Sequence, residues 1–454
     1  MNDNSSPGYD VEKVQTSSLS TKGTNGVAAS LLQEAPGSEG PEFWYQKGRE
    51  AYKYEKYEEA VKWYRMAVAS GHAFAQCNLG CLCRDGQGVN QDYREAARLF
   101  RLATDQGDSL AAIHLALLYQ EGKGVKQDYS EAAKMFKLAA DNDNLYGCAN
   151  LGDLYRDGRG VNQDYSEAVK LYRKAADGGL GSAQRCLGDM YYHGHGVTKD
   201  FLQAFNWYKL SAEQGNTSGQ FDLGLMYKDG EGVGQDYSEA HRWFRKAAEG
   251  GDARAQRSLG FMFMKGEGVQ QDYSETLRWL RKAAEGGDVK AQEGLALMYH
   301  YGQGVAQDFA QSIIWYKLLA KNGNTFGQLQ LAVMYRDGEG VQQNSNEAFC
   351  WFRKAAEGGE VKAQLGLGMM YYEGEGVQQD YNETLRWARK AAEEKNPHAQ
   401  LLLGEMYRLG QGVAKDLAQA LCWYKLSADQ GNVDAQECLR KYEKRTWFDS
   451  IRGR

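Results

Sequence analysis

The sequence predicts an all-α protein, a solenoid of antiparallel helix pairs, from three observations: a strict 36-residue internal repeat, an apolar pattern of helical period within it, and glycines where helices must stop. The repeat begins at Ala73 and runs ten times, without insertion or deletion, to Asn432. With positions numbered 1 to 36, position 7 is Leu in every repeat, and positions 14, 16 and 17 are Gly, Gly and Val throughout, as in Gly230, Gly232 and Val233. Units of this length cannot bury their own apolar faces, so they must stack on their neighbours.

The elements follow in chain order. Residues 1–40 are rich in Ser, Gly, Asn and Thr, without a basic start leading into an apolar stretch, and read as a disordered tail rather than a secretory signal. Residues 41–72 read as a capping repeat. Their Trp44, Gly48, Tyr57, Ala60, Tyr64 and Ala67 resemble a tetratricopeptide unit with a shorter loop, from which Lys47 and Ala51 depart.

In each following repeat, positions 3, 4, 7, 8, 10, 11 and 14 share one arc of a helical wheel, roughly 160° wide, and define the expected buried face of helix A. The small residue at position 8, such as Gly152, Gly188 or Ala296, lets a neighbouring helix come close. Gly at position 14 stops helix A. Asp at position 20, replaced only by Asn344, with Glu or Gln at position 23 predicts a capping box at the start of helix B, as in Asp236 and Glu239. Helix B carries an apolar stripe at positions 24, 27, 28, 31 and 32, for example Ala240, Trp243, Phe244, Ala247 and Ala248. Gly251 and Asp252 then close helix B and cap the next helix A. At the back, residues 433–454 begin a further helix A with no helix B and end in a basic tail, which reads as the C-terminal cap.

The ten repeats resemble the Sel-one-like repeat family, a relative of tetratricopeptide repeats. The resemblance rests on Ala-Gln-x-x-Leu-Gly-x-Met-Tyr, Asp-Gly-x-Gly-Val-x-Gln-Asp-Tyr and Glu-Ala-x-x-Trp-x-x-Lys-Ala-Ala, spread over residues 73–432. It implies a right-handed α/α superhelix serving as an adaptor or scaffold in signalling, protein quality control or bacterial contact with a host. Some relatives clip each helix pair with two cysteines. No repeat here carries such a pair, so that branch, for which weak hydrolase activity has been suggested, is the less fitting alternative.

Composition narrows the function classes. A net charge of −6 brings no basic excess for nucleic acid, and no apolar run reaches the roughly 20 residues of a membrane span. The eight cysteines form no CxxC, which suits free thiols in a reducing, cytoplasmic setting; export by a dedicated secretion system is the alternative.

Catalytic, metal and cofactor sites are all read as absent. The ten Gly-x-Gly runs lack the third glycine and the preceding strand of a nucleotide loop. His193 and His195, near Asp189, supply only two of the three or four ligands zinc needs, and sit in variable loop slots. Cys83 falls in a core slot of its helix while Cys77 and Cys81 point to the opposite face, so these three do not converge. The position-27 tryptophans, Trp207, Trp243, Trp279, Trp315, Trp351, Trp387 and Trp423, read as packing residues rather than a ligand cage.

Function is expected where the repeat does not dictate the residue. The variable positions of helix A (2, 5, 6, 9, 12 and 13) lie opposite its buried arc, on the face that lines the concave groove of tetratricopeptide proteins. The partner-binding residues read from this face are Phe221, Leu225, Arg254, Arg257, Phe261, Leu297, Leu329, Val333, Leu365 and Met369. An apolar row on an outward face suits a protein or peptide partner, with the arginines suggesting an acidic segment, and the chain is expected to be a monomer. Two bland readings stand beside this one: adjacent A helices press on the apolar row, and the arginines are solvated.

Overall fold

The structure, a computed structural model, describes residues 40–452; all but the last residue of the tail expected over residues 1–40 lies outside them. Every element among the described residues is helical. The chain divides into two compact bodies, one ending at Ala247 and the other starting at Ala248. Within each, helices stack as consecutive antiparallel pairs, a solenoid of helix pairs.

In the first body, the front pair is Pro41–Lys53 and Tyr57–Ala69; the fifth repeat opens with Thr217–Asp229. In the second, the eighth repeat is Thr325–Asp337 with Ser345–Glu357, the ninth Val361–Glu373 with Tyr381–Glu393, and Val433–Arg452 closes the chain.

The local signals act as expected. Helix Thr217–Asp229 stops at Gly230, whose φ of 73° is left-handed and whose N–H donates to Met226 O at 2.9 Å. The turn after helix B takes the same left-handed conformation even at Asp143 and Lys395, where glycine is missing. Asp236 Oδ1 accepts from Ser238 N at 2.8 Å and Glu239 N at 3.0 Å, satisfying two of the free N–H groups at the start of helix B.

The capping box is only half made. Asp236 N donates to Tyr227 O, which ties the loop back to helix A, so no donor is left for Glu239. Instead Glu239 accepts from Arg242 at 3.0 Å, one turn along helix B.

Packing between helices explains the near-invariant residues. An added Cβ on Gly152 would lie 2.8 Å from the Tyr172 ring, and one on Gly224 2.7 Å from the Phe244 ring, so in these repeats position 8 is the seat of an aromatic from helix B; Leu280 takes that place against Gly260. The position-4 glutamine is buried and donates back to the preceding helix B: Gln184 to Ala176 O at 3.2 Å and Gln328 to Ala320 O at 3.3 Å. It is a second donor to a carbonyl that also accepts from the turn, Gly179 N to Ala176 O at 2.9 Å and Gly323 N to Ala320 O at 3.1 Å.

The helix-B tryptophans divide. Trp243, Trp279 and Trp387 are buried as expected, while Trp207, Trp315, Trp351 and Trp423 are half-buried. Lysines one turn along cover several of these rings, with Lys246 Nζ 4.3 Å from the Trp243 ring and Lys354 Nζ 4.1 Å from that of Trp351.

Candidate functional site

The ten residues read as a partner surface do not form one exposed row. Phe221 and Leu225 belong to the first body; the other eight belong to the second. Phe221 is 6% exposed and packs on Phe244, ring centroids 5.5 Å apart, and Leu329 is likewise 6% exposed. These two are core residues: Phe244 of helix B packs on Phe221, and Leu329 lies in the cluster that contains Phe352. Phe261 is half-buried against the cluster around Leu280 and Leu295.

Both arginines are already engaged. Arg254 Nη2 lies 2.7 Å from Asp252 Oδ2, within its own helix start. Arg257 Nη1 lies 2.8 Å from Asp288 Oδ2, the cap of the next helix A. Both are half-buried and ion-paired, so neither is a free cation for an acidic guest. On helix B of the same repeat, Arg278 bonds to Glu275 at 2.9 Å and Arg281 to the Tyr299 hydroxyl at 2.8 Å.

What survives as open apolar surface is a groove of about 500 Å³ between the A helices of the eighth and ninth repeats, lined by Leu329, Val333, Leu365 and Met369. Its floor is Phe352, 2% exposed and supplied by helix Ser345–Glu357. Gly366 makes that floor possible, since a Cβ there would stand 2.6 Å from the Phe352 ring. Val333, Leu365 and Met369 are half-buried, one wall each open to solvent.

Charge lies at the rim. Arg336, Lys362, Glu373 and Glu375 surround the apolar strip. Arg336 Nε donates to Asp337 Oδ1 at 2.7 Å, and that hydrogen bond holds the Asp337 carboxyl below its ordinary value. An apolar strip between mixed charges can bind an amphipathic peptide face; it presents no nucleophile and base in hydrogen-bond reach.

The histidines of the fourth repeat stack rather than chelate. His195 lies on the Tyr165 ring at 4.7 Å between centroids and His193 on His195 at 5.5 Å.

The cysteines of the first repeat overturn the helical-wheel reading. Cys77 and Cys81 are 2% and 4% exposed, because the following helix A covers the face that a single wheel marks as outward. They meet His114 of the second repeat, and the three ligand atoms lie within 4.8 Å of one another. Two signals pointed to this cluster: an i, i+4 spacing, and the 37-residue step that also carries Arg185 to Asp222 at 2.7 Å.

With this geometry in place, comparison with known proteins fixes the family. The Sel1 repeat model matches eleven consecutive segments from residue 40 to residue 432, including 40–72, the segment likened above to a tetratricopeptide unit. The chain is similar to the crystal structure of a protective antigen from uropathogenic Escherichia coli with an SLR fold, at 33% identity over 96% of this chain and 91% of that one, with a TM-score of 0.63. It is also similar to a Sel1 repeat protein from Oxalobacter formigenes, at 29% identity over 53% of this chain and 96% of that one, with a TM-score of 0.51. No curated protein matches. Carried by a repeat that recurs from residue 40 to residue 432, the chain belongs to the Sel1 repeat family.

Proposed function

We propose that the protein is a non-catalytic scaffold that binds a segment of a partner protein on its A-helix face, in the groove of Leu329, Val333, Leu365 and Met369. The observation that carries this reading is that Val333, Leu365 and Met369 stay partly open to water while Phe221 and Leu329 are packed away. An apolar strip held open by helices on either side favours a helical or extended segment with two or three apolar anchors. Fold alone does not set function, and the family's general association with protein interaction is what makes a protein guest the natural occupant. Among the described residues no helix is long and apolar enough to cross a membrane, which suits a guest met in water.

All eight cysteines are free thiols, which supports a reducing, cytoplasmic setting. A second reading, contact between a microbe and its host, is favoured by the similarity to a protective antigen of a uropathogen over 96% of this chain.

The test is selection from a random peptide display library on the intact protein, with Met369→Asp protein as the counter-target. Enrichment of apolar-anchored peptides that the variant fails to hold supports the groove. Peptides that bind both proteins equally would place recognition elsewhere.

A further inference from the structure

The Cys77, Cys81 and His114 cluster is independent of the groove. It lies in the first body, at the junction of helices Ala73–Asp85 and Ser109–Glu121, with all three side chains buried. Two thiols and an imidazole with mutually close ligand atoms are a donor set of stated chemistry: soft sulfur with borderline nitrogen.

The distances decide between a chelate and a disulfide. Residues four apart on a helix hold their Cβ atoms about 5–6 Å apart. A disulfide needs about 3.5–4.5 Å. Metal–sulfur bonds of about 2.3 Å and metal–nitrogen bonds of about 2.0 Å instead require neighbouring ligand atoms about 3.5–4.0 Å apart. The atoms here lie within 4.8 Å of one another, so small side-chain rotations bring them into range.

A second observation points to a ligand. His114 is 1% exposed, and its Nε2 has no hydrogen-bond partner. Its Nδ1 lies 3.1 Å from Arg84 Nη1, where the guanidinium can only donate, so the neutral ring carries its proton on the orphaned Nε2. A buried polar atom left in this way calls for an occupant.

We propose that this cluster is a buried trigonal site for monovalent copper, ligated by Cys77 Sγ, Cys81 Sγ and one ring nitrogen of His114. Three donors with no fourth carboxylate, thiol or imidazole in the group suit a three-coordinate soft ion, whereas structural zinc takes four ligands. Loading releases the two thiol protons to solvent. If Nε2 is the ligand, the ring proton passes to Nδ1, and Arg84 Nη1 withdraws while its bonds to Asp85, 2.6 and 2.7 Å, hold the guanidinium nearby. Two thiolates and Cu⁺ leave one negative charge beside the Arg84–Asp85 ion pair.

The test loads the reduced full chain anaerobically with Cu(I) and titrates it against a chromophoric Cu(I) chelator, in parallel with Zn²⁺. The substitutions are ones the repeat itself accommodates: Cys77→Ala, as at Ala149, and His114→Asn, as at Asn78 and Asn150. Cys83→Ala, a buried thiol outside the cluster, is the control.

Wild type and Cys83→Ala are expected to hold one Cu(I) per chain, with sulfur and nitrogen scatterers in its X-ray absorption spectrum. Loss of a ligand should weaken binding more than about 100-fold in both Cys77→Ala and His114→Asn, beyond the roughly 10–100-fold effect of an outer-shell change. Circular dichroism verifies folding, and His114→Asn carries the test if Cys77→Ala fails to fold. Equal retention by wild type and His114→Asn, copper spread over several thiols, or tighter binding of Zn²⁺ than of Cu(I) would overturn the proposal.

Discussion

Arg257 Nη1 reaches across 31 residues to Asp288 Oδ2 at 2.8 Å, so a variable position of one helix A is held by the residue that caps the next. Glu293 and Asn324 repeat the relationship at 3.1 Å. These side chains clamp repeat to repeat. Asp288 is 8% exposed, so Arg257→Ala leaves its carboxylate largely buried with only its cap bond to Ala291 N. The expected loss is about 1.5–3 kcal/mol, the range for a hydrogen bond to a charged group. Urea unfolding followed by circular dichroism measures it; a surface arginine awaiting a guest would leave the midpoint unchanged.

Gly232 couples repeats by a different route. Its φ is 70°, and an added Cβ would fall 2.2 Å from Phe201 O at the start of the preceding helix B. Gly232→Val therefore combines left-handed strain with a clash against backbone that cannot move aside. A loss of more than about 2 kcal/mol is expected. Gly234, where an added Cβ meets nothing within 4 Å, is the control: Gly234→Ala should be neutral or slightly stabilising by calorimetry.

Glu405 provides a pH dependence of known sign. Burial raises its pKa, but hydrogen bonds from Arg408 and the Tyr424 hydroxyl outweigh that and leave it below the ordinary 4.5. A depressed folded value means the stabilising contribution is complete above the unfolded pKa and is lost as pH falls through the folded one. Hydrogen exchange in helix Leu417–Asp429 should therefore accelerate as pH drops below about 4.5, once corrected for intrinsic exchange. Glu405→Gln should abolish that added acceleration. An identical pH profile in the variant would assign the acid sensitivity to other carboxylates.

The helix boundaries were legible because each is written twice, once in the apolar period and once in a cap. Gly230 and Asp236 mark their turns by chemistry that acts within a few residues. The partner surface was legible only in part. A helical wheel treats one helix in isolation, so it marks Phe221, Cys77 and Cys81 as outward. The next helix A covers Cys77 and Cys81, Phe221 packs on Phe244 of helix B, and the reach from one helix A to the next is set by steps of 31 and 37 residues that no single wheel contains. The same steps hide the pairing of Arg257 and the meeting of Cys77 with His114. Val333, Leu365 and Met369 escape cover in part because Gly366 brings no side chain to that face.

The central claim, that the groove of the eighth and ninth repeats receives a protein segment, is tested most directly by the affinity of a library-selected peptide for wild type, Met369→Asp and Ile314→Asp. Met369 lines the groove, while Ile314 is an exposed helix-B residue outside it. A charge in the apolar strip should weaken binding at least about 10-fold, or 1.4 kcal/mol, in Met369→Asp. Ile314→Asp should bind as wild type does, with both variants melting normally. Loss of binding in Ile314→Asp and full retention in Met369→Asp would contradict the account.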